Sequence, residues 1–249
     1  MAGHSKWANI KHRKAGQDTK RGKLFTKLIR ELAVAAKLGG GEVASNPRLR
    51  TAVDKALTYN MTRETINRAI QRGVGGEEGS DMESLLYEGY GPAGTALLIA
   101  CLTDNRNRTA GEVRYAFDKC GGNLGIEGSV AYLFAKKGVL HLSGVEDEEA
   151  LFTLVLEAGA DDLHCNADHT SVVLTPPEQF MAVQQALEQS QYRTEQAELI
   201  WIAQSQLPLT ATEADRLQGL LDRLEDLDDV QTVYHNGLLP DEWTEDHRA

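Results

Sequence analysis

Between residues 138 and 202 the hydrophobic pattern changes period in an order that few topologies can satisfy. Strand-like runs occupy 139–142, 162–166, 171–175 and 196–202, and helical spacing marks 146–158 and 177–190. Strand, helix, strand, strand, helix, strand is the order of the ferredoxin-like split unit. That unit is complete in itself, yet a further helix at 210–227 and a strand at 230–234 follow it. They need a sheet to join, and the preceding segment offers one. There, strands at 85–90 and 95–103 flank a Gly91-Pro92-Ala93-Gly94 turn, a helix covers 109–119, and a strand covers 130–135. The pattern therefore predicts a discontinuous α+β domain of residues 81–136 and 206–240. Residues 137–205 form the ferredoxin-like domain inserted into it, and 237–249 read as a loose tail.

Upstream the period is helical. Leu24, Phe25, Leu28, Ile29, Leu32, Ala33 and Ala36 cover one half of a helical wheel over residues 23–37, and Lys20, Lys23, Lys27, Arg30 and Lys37 gather on the other. Gly39, Gly40 and Gly41 stop this helix. Asn46-Pro47 starts a second, with Leu49, Val53, Ala56 and Leu57 as its inner stripe. Thr62 caps a third, with Ile66, Ala69 and Ile70 inward and Gly73 at its end. The fold class expected is thus α+β multidomain: an N-terminal three-helix bundle, with a basic arm, over residues 1–76, then an α+β domain interrupted by the inserted βαββαβ domain. Residues 59–61 join the second and third helices at helix-turn-helix-like spacing. The pattern shows no well-marked recognition helix with Asn, Gln or Arg on one exposed face. The Gly-rich stretch 73–80 reads as a linker, since it lacks the Lys-Ser/Thr of a phosphate loop.

Charge is strongly segregated along this framework. The formal net charge is −11. Residues 1–72 carry 16 Lys+Arg against 5 Asp+Glu, a net of +11, whereas 73–249 carry 10 against 32, a net of −22. Opposed ends of this kind point to a polyanion-binding region on an acidic body. The first twenty-one residues have too little apolar surface to order in isolation. Their Lys6, Lys11, Arg13, Lys14, Lys20 and Arg21, with His12 interleaved, suit phosphates, and Trp7 suits stacking on a base. Lys23, Lys27 and Arg30 on the following helix extend the same track. Phosphate contacts position a protein without reading sequence, so DNA and RNA both stay open as ligands.

No catalytic constellation, metal site or cofactor motif is indicated. Cys101, Cys120 and Cys165 are too far apart to suggest a disulfide framework or zinc knuckle. The histidines lack metal-ligand spacing, and the acidic clusters read as solvated helix ends and loops. Gly122-x-x-Gly125-x-x-Gly128 follows a helix and has the wrong spacing for a dinucleotide site. Arg106 and Arg108 form a smaller cationic spot that reads as helix capping and local ion pairing. No apolar run approaches the roughly 20 residues of a membrane span, and no secretory h-region opens the chain, so a cytoplasmic protein is expected.

Several longer stretches are more specific than any of these patterns. The opening MAGHSKWANIKHRK, LGGG at 38–41, NPRLR at 46–50, INRAI at 66–70, YEGYGP at 87–92, DNRNRT at 104–109, CGGNLG at 120–125 and DVQTVYHN at 229–236 occur in one order. With them the chain resembles, over essentially its whole length, the YebC/PmpR family of gene-expression regulators. That family includes the mitochondrial translational activator of cytochrome c oxidase subunit I. The resemblance implies a helical N-terminal domain followed by two α+β domains, one inserted in the other. It also implies a non-enzymatic cytoplasmic protein. The family is described as DNA-binding transcriptional regulators, and members are also described as ribosome-associated factors that assist translation, including through proline-rich stretches. Nucleic acid and, in the second description, the ribosome are the implied partners, and the acidic domains are left to hold a protein partner.

Overall fold

The computed structural model describes residues 21–75, 82–240 and Trp243, with Arg21 and Gly22 as backbone only. Three helices lead: α1 (Arg21–Gly39), α2 (Pro47–Thr58) and α3 (Arg63–Gly75). Then come β1 (Glu83–Tyr90), β2 (Ala96–Thr103), α4 (Arg106–Lys119), β3 (Asn123–Leu124) and β4 (Phe134–Ser143). These are followed by α5 (Glu148–Glu157), β5 (Asp162–Cys165), β6 (Ser171–Thr175), α6 (Phe180–Gln189) and β7 (Arg193–Ala203). β8 (Leu207–Pro208), α7 (Ala211–Glu225), β9 (Val230–His235) and β10 (Gly237–Leu238) complete the order. The chain is α+β, as its pattern predicts, and it divides into two compact units.

The first unit draws on Met1–Lys27, Gly79–Ala135 and Ile202–Ala249. Its main sheet has the order β3-β1-β2-β9. β1 and β2 pair antiparallel through a tight turn, with Tyr87 opposite Ile99. β9 pairs antiparallel with the other edge of β2, setting Ile99 opposite Val233. β2 is central and buried along nearly its whole length, which explains its unbroken apolar run. Leu97, Ile99 and Cys101 pack with Val113 and Phe117 of α4 and with Leu217, Leu220 and Leu224 of α7. The late helix and strand have therefore joined the early sheet, as the completeness of the inserted unit required.

Polar side chains hold the loops of this unit. Glu88 is buried, and its carboxylate accepts from the backbone N–H of Gly128 at 2.6 Å, Val130 at 2.7 Å and Ala131 at 2.7 Å. Burial pushes this carboxyl up, but the three N–H donors outweigh it and hold the group below its ordinary value. Thr210 and Glu213 form a reciprocal capping box at the start of α7.

The second unit draws on Leu28–Glu78 and Lys136–Trp201. Its sheet order β5-β6-β4-β7 is the ferredoxin-like arrangement. Leu140, Leu142 and Val173 meet Leu151 and Val155 of α5 and Phe180, Val183 and Leu187 of α6. The helical part is closed by Asn46. Its Nδ2 donates to the carbonyls of Ala35 and Gly40, both at 2.8 Å, and its Oδ1 accepts from Leu49 N–H at 3.1 Å. One buried amide thus ends α1 and starts α2.

The structure departs from the sequence pattern in four places. The expected strands at 130–135 and 139–142 are one strand, β4, preceded by a 3₁₀ turn over Ala131–Leu133. The expected tail from 237 pairs in parallel with β8 through β10, and Trp243 is buried with its Nε1 donating to Asp215 at 2.6 Å. Residues 32–36 of α1 are buried on every side, Val34 and Ala35 included, rather than on one face. Gly73 lies inside α3 instead of ending it: a Cβ there would sit 2.1 Å from the Ala33 carbonyl oxygen. It is a point of close helix approach.

Gly73→Ala tests that reading. Alanine improves helix propensity by about 1 kcal/mol. An overpacked backbone contact costs about 1–3 kcal/mol and is expected at the top of that range here. A net loss of about 2 kcal/mol is expected in urea unfolding, and an unchanged or raised midpoint contradicts the close approach.

Candidate nucleic-acid interface

Of the residues expected to meet nucleic acid, Lys6, Trp7, Lys11, His12, Arg13, Lys14 and Lys20 lie outside the described residues. Arg21 is placed only as the first backbone position of α1. Lys23, Lys27 and Arg30 are therefore the expected contacts whose side chains can be located.

Lys23 and Lys27, one helical turn apart, both reach the C-terminal end of α7. Lys23 Nζ meets Asp226 Oδ1 at 2.7 Å, and Lys27 Nζ donates to the Glu225 carbonyl at 2.9 Å. The last carbonyls of a helix lack intrahelical donors and carry the negative end of its dipole, so cations are favoured there. The two contacts differ in consequence. The Lys23–Asp226 pair is about half exposed on both sides, at 51% and 59%. Such a pair is worth well under 1 kcal/mol and yields readily to a phosphate. Lys27 is half-buried and caps a helix, which makes it a structural cation at the root of the arm. Arg30 is half-buried as well.

The other cations of the helical region divide in the same way. On α2, Arg48 forks onto Glu31 through Nε at 2.6 Å and a terminal nitrogen at 3.0 Å. Arg50 donates to the Ala44 carbonyl at 2.6 Å, and Lys55 meets Glu198 at 3.2 Å. On α3 the outer half is exposed and carries Arg63, Asn67, Arg68, Gln71 and Arg72. The sequence pattern shows no such face; the structure presents one. The signal was the i, i+4, i+8 spacing of Arg63, Asn67 and Gln71 opposite the inward Ile66, Ala69 and Ile70.

The other charged cluster is internal. Asp229, in the turn just before β9, is buried. Its Oδ2 accepts from Thr103 Oγ1 at 3.0 Å, Thr109 Oγ1 at 2.8 Å and an Arg108 nitrogen at 2.7 Å. Arg108 also meets Asp104 at 2.8 Å, and Asn105 caps α4 through Arg108 N–H. The DNRNRT and DVQTVYHN stretches, more than a hundred residues apart, thus form one joint. Arg108 is used for capping and pairing, as its setting suggested. Burial pushes the Asp229 carboxyl up, but Arg108, Thr109 and Thr103 together hold it below the usual carboxylate range.

No group of three or more His, Cys, Asp or Glu among the described residues is placed to hold a metal ion. The three cysteines are unpaired thiols. Burial, with the Asp229 charge adding and Lys27 opposing, pushes Cys101 up to about 12, so it stays protonated at neutral pH. No described helix is long and apolar enough to cross a membrane.

Comparison with known proteins agrees with this organisation. Residues 5–76 match the family model for the TACO1/YebC protein N-terminal domain, and 82–237 match that for the TACO1/YebC second and third domain. A protein of Aeromonas hydrophila named a probable transcriptional regulatory protein is 60% identical over 242 residues, covering 97% of this chain and 98% of the relative. One of Pectobacterium carotovorum with the same description is 58% identical over 245 residues, covering 98% and 99%. The crystal structure of a conserved hypothetical protein of Aquifex aeolicus has 43% identity and a TM-score of 0.78, covering 90% of this chain and 93% of that one.

Asp229 generates a pH prediction. Its folded-state pKa is lowered, so its contribution is complete above the unfolded value of about 3.9 and is lost as pH falls through the folded value. Asp229→Asn should destabilise by about 3 kcal/mol at pH 7, as expected for breaking a buried charged cluster. It should also flatten the acid limb of a stability–pH profile below about pH 4. A variant whose profile overlays the parent contradicts the assignment.

Proposed function

This chain belongs to the TACO1/YebC family, and we propose that it is a non-enzymatic, cytoplasmic, DNA-binding regulator of gene expression that acts through its basic N-terminal region. Charge segregation carries the reading: a net of +11 over residues 1–72 against −22 over the rest. A polyanion gains from the first segment and is repelled by the second. The relatives' description as transcriptional regulatory proteins supports regulation as the outcome of that binding.

In this reading Lys6, Lys11, Arg13, Lys14, Lys20 and Arg21 contact phosphates, with His12 among them and Trp7 stacking. Lys23 joins by exchanging Asp226 for a phosphate, while Lys27 fixes the base of the arm on α7. Arg30 extends the track along α1. The basic region of residues 1–76 is the binding domain, and the family models support a boundary there, since one ends at 76 and the next begins at 82. The discontinuous domain of 81–136 and 206–240 and the inserted 137–205 form the acidic body, which is left for a protein partner.

Salt-titrated binding tests this with duplex DNA, structured RNA and ribosomes as probes. Neutralising about six phosphates on duplex DNA gives a log K against log salt slope of roughly −5. Replacing Lys6, Lys11, Arg13, Lys14, Lys20 and Arg21 by glutamine should remove most of that slope and most of the affinity. A salt-independent complex, or binding that survives the replacement, overturns the role of the arm. Tighter, arm-dependent binding to ribosomes or RNA than to any duplex moves the function to translation.

A further inference from the structure

We infer that the outer face of α3 reads base edges in the major groove of duplex DNA, so that the basic region supplies sequence choice as well as affinity. The inference rests on the nucleic-acid-binding reading above and assigns a separate element to a separate task.

α3 is rigidly seated. Ile66, Ala69, Ile70 and Gly73 face inward, and the missing Cβ of Gly73 lets the helix lie directly on the Ala33 carbonyl. Thr62 Oγ1 accepts from Thr65 N–H at 3.3 Å to begin the helix. The turn from α2 is short and fixed: Asn60 takes a left-handed conformation at φ 58°, and Met61 is buried. A helix held in this way presents its outer side chains in a constant frame, as groove reading demands.

Arg63, Asn67 and Gln71 recur every four residues along that exposed side. They span about 12 Å of helix axis, some three to four base steps. Among the described residues no hydrogen bond or ion pair engages their side chains. On α2, by contrast, Arg48, Arg50 and Lys55 are each bound within the protein. The chemistry of the three open positions is specific: Arg pairs bidentately with guanine, and Asn or Gln with adenine. Arg68 and Arg72 flank them and suit phosphates on the groove wall. Arg68 is engaged by Glu64 at 2.7 Å in a pair that is 63% and 82% exposed, a contact that opens to a phosphate at little cost. α3 carries three arginines and one acid, so its charge complements the duplex. The major groove of B-form DNA admits a helix, whereas that of A-form RNA is too narrow. Duplex DNA is the ligand this face fits.

The test is selection of binding sites from a random-sequence duplex pool by the full chain and by an Asn67→Ala/Gln71→Ala variant. Both residues are exposed and unbonded among the described residues, so the variant should melt with the parent. The parent should enrich a motif. The variant should bind random duplex with unchanged affinity and salt slope, but its preference for the motif should fall about tenfold or more. Two results overturn the inference and leave the arm's role standing: random-duplex binding by the parent without any enriched motif, or the same motif enriched equally by the variant. Failure of the parent to bind any duplex, while it still binds RNA, overturns the inference together with the DNA-binding part of the proposed function, and leaves only the arm's role in holding nucleic acid. Failure to bind either nucleic acid overturns this inference and the proposed function together.

Discussion

A buried carboxylate joins the two ends of the discontinuous domain. Asp229 is held by Thr103, Thr109 and Arg108, which lie at the end of β2 and the start of α4. Between these partners the chain leaves, folds a whole ferredoxin-like unit, and returns. An uncompensated carboxylate at that depth would cost several kcal/mol, so the return is favoured only in the register that supplies all three donors. That register places Val233 opposite Ile99 and brings α7 onto the same core as α4. The sheet, its two covering helices and the end of α7 that receives Lys23 and Lys27 all follow from it.

The same device recurs at smaller scale. Glu88 gathers three backbone N–H groups of the loop that precedes β4, and Asn46 closes one helix while opening the next. Each is a polar group placed where backbone groups would otherwise be buried without partners. The acids of the body therefore have two roles. A few, Asp229 and Glu88 among them, are internal joints, whereas others, such as Glu148, Glu149 and Glu157, are exposed. The basic helices divide likewise. Arg48, Lys55 and Lys27 are structural, whereas the outer side of α3 is exposed at Arg63, Asn67 and Gln71, whose side chains make no hydrogen bond or ion pair among the described residues.

Local periodicity carried most of the architecture. The split βαββαβ order and the need of the late helix and strand for an earlier sheet were legible because they depend on element order alone. What could not be read depends on contacts distant in sequence. Gly73 looks like a helix stop unless Ala33 is known to lie against it. Residues 237–238 look like tail until β8 is found beside them. Asp229 reads as one acid in a run until Thr103, Arg108 and Thr109 surround it, 120 to 126 residues away. For the interface, the basic arm was legible as composition. The α3 face was not, because the spacing of Arg63, Asn67 and Gln71 becomes informative only once all three are found exposed and, among the described residues, without a hydrogen bond or ion pair.

The central claim is a division of labour: basic N-terminal residues hold nucleic acid, and the acidic remainder stays off it. Ultraviolet cross-linking of bound duplex DNA, with the modified peptides located by mass spectrometry, tests it most directly. The account predicts adducts within residues 1–37 and 63–72. Adducts confined to 82–240 would contradict it.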